Sequence, residues 1–366
     1  MEIYVLDGLN GIIGMIENYQ SCIWTVQSMD LGNFELILQA TPANIDLLKS
    51  ERLLVRSEDI NGSRFDNVMV IEAVKVEFES DIGWRMTVSG RGLKSIIGRR
   101  IVWYQTATAS NMTVEAFIRA VVDENCITVD QYHTERIIDD LRWTTSHGMT
   151  EEAALQVNGE NLAEWITHIC VLYGYSWDIY IDDYEGEPCY WIDLWKGTDR
   201  AKSQATNPPV VFSEEYDNLL AVTYSVDRTR YRNCGEVVGE YEGVVRLLRF
   251  DYKTGVTSSG LNAYEIYVDG TGISEEDAGT PENYNKMLKN YGREQLWEYT
   301  IEKTFEGQIE PQGTYILGTD YSLGDKVTLE TSLGLSADVI ITEIIDSSSE
   351  EGRTVILNLQ EWEVNS

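Results

Sequence analysis

The first hundred residues are built of short runs in which apolar and polar positions alternate. Residues 3–6, 12–18, 21–29 and 34–39 are such runs, with Gly8, Gly11 and Gly32 between them, and 53–56, 68–79 and 84–88 continue the series. In Val74-Lys75-Val76-Glu77-Phe78 the alternation is strict, which predicts a half-buried antiparallel strand, because successive side chains of a strand point to opposite faces. Strands at this spacing predict a barrel or sandwich, with residues 43–48 as one short helix inside it.

The period then changes. Val114, Phe117, Ile118, Val121 and Val122 recur at helical spacing behind Thr113, whose hydroxyl suits an N-cap. Leu162, Trp165, Ile166 and Ile169 repeat the pattern, with Gly174 as a stop. Residues 177–181 and 190–195 predict a hairpin around the polar turn 182–188. Strand patterns return at 210–212, 219–226, 236–238, 244–251 and 263–268. Thr280-Pro281-Glu282 sets a cap and a first-turn proline before a helix carrying Tyr284, Met287, Leu288 and Tyr291. Runs at 299–305, 326–330, 338–345 and 354–359 close the chain as β structure, and the polar loops 270–279 and 347–352 are candidates for mobility.

One internal echo stands out. Glu17, Tyr19, Ser28 and Asp30 recur as Glu214, Tyr216, Ser225 and Asp227 at one constant offset, with Phe34 and Tyr231 aromatic at a further shared offset. Two readings stay open, a coincidence between strand pairs and an old duplication of one β-domain.

At 366 residues the chain exceeds a single core of about 100–200 residues, predicting two or three domains. With 43% hydrophobic residues it has the apolar mass for real cores despite a net charge of −33. That charge disfavours nucleic-acid binding, which draws on Lys and Arg to neutralise phosphates; the basic residues Arg91, Lys94, Arg99 and Arg100 lie in acidic surroundings. Cys22, Cys126, Cys170, Cys189 and Cys234 are an odd, scattered set without C-x-x-C, which predicts reduced thiols of a protein folded in a cytoplasm. The N-terminus carries no signal-peptide pattern, and no apolar run approaches the roughly 18–20 residues of a membrane span.

Candidate chemistry is thin. Asp182, Asp183 and Glu185 lie in a turn and lack calcium-loop spacing, and Glu240 and Glu242 between Gly239 and Gly243 predict a charged hairpin tip. Of His133, His147 and His168, only His168 has a cysteine nearby, Cys170, and helical spacing sets those two on different faces; His147 and Glu151 are an isolated i, i+4 pair. Gly90-Arg91-Gly92-Leu93-Lys94-Ser95 superficially resembles a phosphate loop but lacks its glycine spacing. It predicts instead a glycine turn followed by a short helix with Leu93, Ile96 and Ile97 on one face. No catalytic, cofactor or metal residue is assigned. The 10 Trp and 21 Tyr exceed what cores of this size need, and Trp191, Trp195 and Trp297 are the candidates for touching a partner.

Four stretches occur in a telling order. They are residues 17–24 followed by Gly32-Asn33-Phe34-Glu35-Leu36; Gly90-Arg91-Gly92-Leu93 through Arg99-Arg100-Ile101; Val211-Phe212-Ser213 with Tyr216-Asp217-Asn218-Leu219, Tyr224 and Tyr231-Arg232-Asn233, ending at Gly239-Glu240-Tyr241-Glu242-Gly243; and residues 320–327. Together they span nearly the whole chain, which resembles the tail-tip or baseplate hub family of long-tailed, siphovirus-type phages and prophages of Gram-positive bacteria. Tyr241, where the family pattern has glycine, and Leu261-Asn262-Ala263, in place of a more basic stretch, depart from it.

The resemblance implies a mainly β fold with α+β insertions, two tube-like antiparallel β-barrel or sandwich domains and a helical-hairpin segment. On this reading residues 1–105 are the first tube-like domain, 106–205 an α+β intermediate domain, and 206–366 the second tube-like domain with a C-terminal barrel-like segment. It implies a non-enzymatic hub, a homotrimer forming a pseudo-sixfold ring between the tail tube or distal tail protein and tip or fibre proteins. DNA would pass through without specific binding, and there would be no membrane insertion. The protein would be made in the bacterial cytoplasm and reside at the virion tail tip, and an end at Ser366 leaves no room for an appended peptidase. The acidic balance suits either a lumen that repels phosphates or simple solubility before assembly. The competing readings are a glycan- or receptor-binding module, the hub of a contractile injection particle, and a cell-wall hydrolase with carboxylates roughly 5–9.5 Å apart.

Overall fold

The computed structural model describes residues 2–361 apart from 82, 104–105, 108–111, 130, 153–154, 158, 252–257, 300, 310–313 and 350–351. The first segment forms β1 (Ile3–Leu6), β2 (Ile12–Ile16), β3 (Ser21–Gln27), β4 (Asn33–Gln39), helix α1 (Pro42–Leu47), β5 (Leu53–Arg56), the two-residue β6 (Ile60–Asn61) and β7 (Arg64–Phe65), and a long hairpin of β8 (Met69–Glu79) and β9 (Gly83–Gly92). A middle segment follows with β10 (Thr106–Ala107), α2 (Val114–Val122), β11 (Leu141–Trp143), β12 (Gln156–Val157), α3 (Leu162–Tyr173), β13 (Ser176–Tyr184) and β14 (Glu187–Trp195). The last segment opens with β15 (Val211–Ser213) and β16 (Leu219–Asp227). An inserted unit then forms β17 (Cys234–Tyr241), β18 (Val244–Asp251), β19 (Glu265–Asp269), α4 (Glu275–Ala278) and α5 (Pro281–Gln295). It closes on β20 (Glu302–Ile309), β21 (Lys326–Glu330), β22 (Ser336–Ser349) and β23 (Gly352–Glu361).

The helices start and stop where local chemistry directs. The Thr113 and Thr280 hydroxyls accept hydrogen bonds from the Ala116 and Asn283 amides, capping α2 and α5, and Gly174 ends α3 in the left-handed region at φ 69°. The apolar faces of α2 and α3 meet, Phe117 edge-on to Trp165 at 5.5 Å, although β11 and β12 separate the two helices, so they are not a direct hairpin. Four expectations shift. The β13–β14 hairpin turns on only Glu185 and Gly186, both at positive φ as a two-residue primed turn requires. Residues 275–278 of the first polar loop are helical, and Ser347–Ser349 of the second are paired strand. The strand expected at 299–305 runs instead over Glu302–Ile309.

The protein is mainly β, and one sheet of thirteen strands dominates it, in the order β16-β20-β23-β22-β3-β4-β9-β8-β5-β1-β2, with β21 beside β22 and β15 beside β21. The expected barrel is not found: the path is open, with β16 and β2 at its ends, and no closed barrel exists among the described residues. Six-strand order recurs within it. The run β3-β4-β9-β8-β5-β1 is matched by β16-β20-β23-β22-β21-β15, and in each run the strands occupy the same places in chain order. The match extends to an irregularity, since β8 shifts register between Ile71 and Ala73 against β9, and β22 between Ile341 and Glu343 against β23. Two features break the likeness: the β15–β21 pair is parallel where β1–β5 is antiparallel, and β16 shifts register between Leu219 and Ala221 against β20 where β3 against β4 does not.

Following the pairings outward from the two bulges equates Phe34 with Phe305 and, 200 positions apart on β3 and β16, Trp24 with Tyr224. The sequence echo pairs positions 197 apart, so its identical residues do not occupy equivalent places. Register is set by the bulge and the ladder rather than by those side chains.

The two runs are joined edge to edge. Glu343–Ser349 of β22 pairs with β3, Glu343 opposite Gln27 and Ser349 opposite Ser21. The core of the first run (Trp24, Phe34, Leu36, Met86, Val88) and that of the second (Val327, Ile341, Ile344, Leu357) are thereby two separate clusters carried by one sheet. Beneath this seam lies a buried ionic cluster. Arg56 donates to Asp346 (2.8 Å) and pairs with Asp59 and Glu58, while Arg353 donates to Asp346 (2.9 Å) and Glu58 (2.6 Å). The Asp346 carboxylate, 3% exposed, is thus held between two guanidiniums, one from each end of the chain. The middle segment packs its own core around α2, α3 and β13 against Val55 and Val70, and α5 covers the three-stranded sheet β18-β17-β19.

Buried titratable groups meet where the inserted unit lies against α3. Desolvation, then the nearby Glu160, pushes the Glu294 carboxyl up to about 8, and burial pushes His168 down to about 4. Tyr173 and Tyr291 beside them are raised, chiefly by burial. Glu294 holds in the native state a proton that the unfolded chain releases near pH 4.3, so its contribution to stability falls as pH rises towards about 8. His168 acts oppositely, losing stability as pH falls from about 6.5 to about 4.

Two predictions follow from these buried charges. Asp346→Ala strands two guanidiniums and is expected to cost about 3 kcal/mol, read as a lower urea midpoint at unchanged m-value. The Glu294 and His168 slopes oppose each other below about pH 6.5 and only Glu294 acts above it, so stability is expected to fall between pH 6.5 and 8. In Glu294→Gln that fall should be absent; an unchanged pH profile would refute the assignment.

Candidate assembly surfaces

The residues that carry chemistry in other proteins are spent on structure here. His147 bonds Asp193 (3.0 Å), whereas Glu151 accepts from Tyr175 (2.7 Å) and pairs with Lys196, so the i, i+4 pair of the sequence does not meet. His168 is turned towards Glu294 and Cys170 towards the middle core. All five thiols are buried and free, and burial pushes those of Cys22 and Cys126 up to about 12. Glu242 and Gly243 form the tip of the β17–β18 hairpin, where the Glu242 amide donates to Glu275 (2.7 Å). Asp182 accepts from Ser63 (2.7 Å). Among the described residues no group of three or more His, Cys, Asp or Glu side chains is placed to hold a metal, and none of their helices is long and apolar enough to cross a membrane.

The glycine-rich stretch is the end of β9 rather than the expected turn, and close packing explains it. A Cβ on Gly90 would stand 1.9 Å from the Val70 carbonyl, and one on Gly92 2.2 Å from that of Leu31. Leu93–Arg99 follow as a 3₁₀ helix. Lys94 is buried and donates to the carbonyls of Gln27 (2.7 Å) and Trp177 (3.1 Å), acceptors that would otherwise be left unsatisfied. The four basic residues form no patch, since Arg91 pairs with Glu72, Arg99 with Glu51, and Arg100 donates to the Arg136 carbonyl.

What the surface does offer is apolar. The hairpin β8–β9 runs past its neighbour: β5 pairs only with Met69 and Val70, so among the described residues Ala73–Glu79 has strand partners on the β9 side alone. The strand expected there forms, but its apolar positions are not half-buried, with Phe78 61% and Trp84 56% exposed and their rings 5.2 Å apart. Val74 and Val76 are exposed beside them, on the face that carries the buried Val88 and Met86 opposite. At the other end of the sheet β16 pairs only with β20, and Leu220, Tyr224 and Val226 are exposed along it. A third apolar face, Val245, Leu247 and Tyr267, lies on the inserted sheet.

Of the aromatics expected at a partner surface, Trp191 is half-buried, donates to the Asp182 carbonyl (3.2 Å) and packs on Tyr184. Trp195 is half-buried near Gly324, and the Trp297 side chain lies outside the described residues. Phe78 and Trp84 are the more open pair. The signal for them was the strict alternation around Val76, which reads equally well as a strand buried by its own chain or by another.

Two solved structures share this fold. The 43 kDa tail protein of prophage MuSo2 from Shewanella oneidensis is 14% identical, with a TM-score of 0.56 over 98% of both chains. The tail protein from Neisseria meningitidis MC58 is 12% identical, with a TM-score of 0.56 over 99% of this chain and 97% of that one. Both come from Gram-negative bacteria, so the fold is not confined to the Gram-positive hosts of the resemblance. No curated protein sequence matches the chain. The family described as Siphovirus ReqiPepy6 Gp37-like protein matches residues 2–359, nearly the whole length, and this chain belongs to that phage family.

Proposed function

We propose that the protein is the structural hub of a phage tail tip, a homotrimeric ring joining the tail tube or distal tail protein above to tip or fibre proteins below. The observation that carries this reading is the recurrence of one six-strand order, bulge included, twice in a single subunit. Three copies of such a subunit present six similar units, which suits contact with a six-fold tube above. The tail-protein fold supports the same assignment.

The chemistry supports a non-enzymatic role. The acidic residues singled out in the sequence lie on the strands and tips of two hairpins, and the histidines are bonded or stacked within the fold. A net charge of −33 favours passage of DNA without adhesion, since like charges repel at short range and salt screens them beyond about 8–10 Å.

Light scattering on a size-exclusion column tests the assembly. The expected mass rises with concentration to three times the monomer's 41.6 kDa and stops there. A monomer at every concentration would count against the hub and send attention to the binding-module reading.

A further inference from the structure

The chain already contains one solution to the problem of joining its two six-strand runs, and that solution identifies what its open edges are for. At the internal seam, Glu343–Ser349 of β22 takes β3 as an antiparallel neighbour, with Ile344 opposite Val26, Asp346 opposite Trp24 and Ser348 opposite Cys22. In the strand equivalence fixed by the two bulges, the counterpart of Glu343–Ser349 is Ala73–Glu79 of β8. The counterpart of β3 is β16, with Tyr224 in the place of Trp24. These counterparts are the segment of β8 that, among the described residues, has no strand on its outer side and the terminal strand of the sheet. β16 forms one end of the subunit's sheet and β8 lies three strands in from the other end, and the two do not pair within it.

We infer that β16 of one copy of this chain adds to the open flank of β8 in the next copy, antiparallel and in the register of the internal seam. The inference rests on the hub reading and names the contact by which its ring would close. Transferring the register places Val74 opposite Val226, Val76 opposite Tyr224 and Phe78 opposite Val222. Ala73 falls opposite Asp227 and Glu79 opposite Ala221, yet Val74, Val76 and Phe78 each meet an apolar residue of β16. All lie on the core face: Val74 and Val76 share it with the buried Val88 and Met86, and Val222 packs on the second core. At the internal seam that face is already continuous, since Ile344 belongs to the second core and Val26 packs on the first. Pairing the open edges would extend both cores across the contact and cover side chains that are now 38–61% exposed on β8 and 39–47% on β16 at Tyr224 and Val226.

The contact is head-to-tail, because each copy contributes one β8 edge and one β16 edge. Such a contact closes into a ring or runs on as a filament, according to the rotation per subunit. Backbone pairing supplies its affinity and the alternate side chains its register, as in strand addition generally.

Cysteine cross-linking in the full-length protein tests the register. The native thiols are buried, so a variant carrying Val76→Cys and Tyr224→Cys together should form disulfides between copies under mild oxidation, giving covalent dimers and closed trimers on a non-reducing gel. A variant carrying Val76→Cys and Leu220→Cys, displaced by about 13 Å along the strand, should not. Val76→Glu should leave the far-ultraviolet spectrum and melting intact and reduce the assembled fraction at least tenfold. A trimeric mass with no cross-link, or equal cross-linking of the displaced pair, overturns the strand pairing and leaves the ring reading standing. A monomer at the highest attainable concentration overturns both.

Discussion

The pairing of Ser21–Gln27 with Glu343–Ser349 turns the beginning and the end of the chain into one sheet, and the rest of the architecture is arranged around it. Closing a loop of about 300 residues costs about 5 kcal/mol beyond a constant, a modest sum beside the cores it brings onto one sheet. What the seam needs more is specificity, because β22 could slip along β3. The Asp346 carboxylate supplies it: buried opposite Trp24, it is tolerable only where Arg56 and Arg353 both reach it. A slip of one residue would send the carboxylate to the other face, away from both guanidiniums, and lose the charge-assisted hydrogen bonds of the cluster, worth about 2 kcal/mol or more. Charge here selects a register that apolar contacts alone would leave loose.

The open edges are handled in the opposite way. An exposed strand with free hydrogen-bonding groups invites indiscriminate pairing, and proteins protect such edges with charge. On β8 the face away from the core carries Lys75, Glu77 and Glu79, tied to one another and to Arg85 of β9 by ion pairs of 2.8–3.7 Å. The core face of the same strand carries only Val74, Val76 and Phe78. A wrong partner must therefore match an apolar stripe and a charged stripe at once. The edge is guarded without being blocked.

Much of this was legible in the sequence, and the failures have definable causes. Helix caps at Thr113 and Thr280 and the stop at Gly174 are local devices, and each was placed correctly from spacing. The glycines at 90 and 92 were legible as structural but not as contacts, because the carbonyls of Val70 and Leu31 that exclude a side chain come from β8 and from the β3–β4 connection. The alternation at Val74–Phe78 gave a strand and misjudged its burial. Periodicity reports which face is apolar, not whether the subunit itself covers that face. The expected barrel failed for a related reason. Strand number and spacing are sequence properties, whereas closure depends on whether the terminal strands meet, and here β16 and β2 do not. The repeat was detected through the wrong residues, because a ladder conserves register and bulge position and places few demands on side-chain identity.

The second run carries a large insertion that the first lacks, and the sheet shows why it is tolerated. β3 passes to β4 through residues 28–32, whereas β16 reaches β20 only after the whole unit of β17, β18, β19, α4 and α5. Yet Asp227 at the end of β16 stands directly opposite Glu302 at the start of β20, as Thr25 stands opposite Asn33 in the first run. The chain leaves and re-enters the sheet at one point, so the ladder is the same with five residues between the strands or with seventy-four. The insertion brings its own core under α5 and meets the rest through Glu294 and the α3 helix. Fold and attachment are thereby separable: two copies of one six-strand order define the frame, and the loops between equivalent strands are where one half was free to acquire a surface that the other does not have.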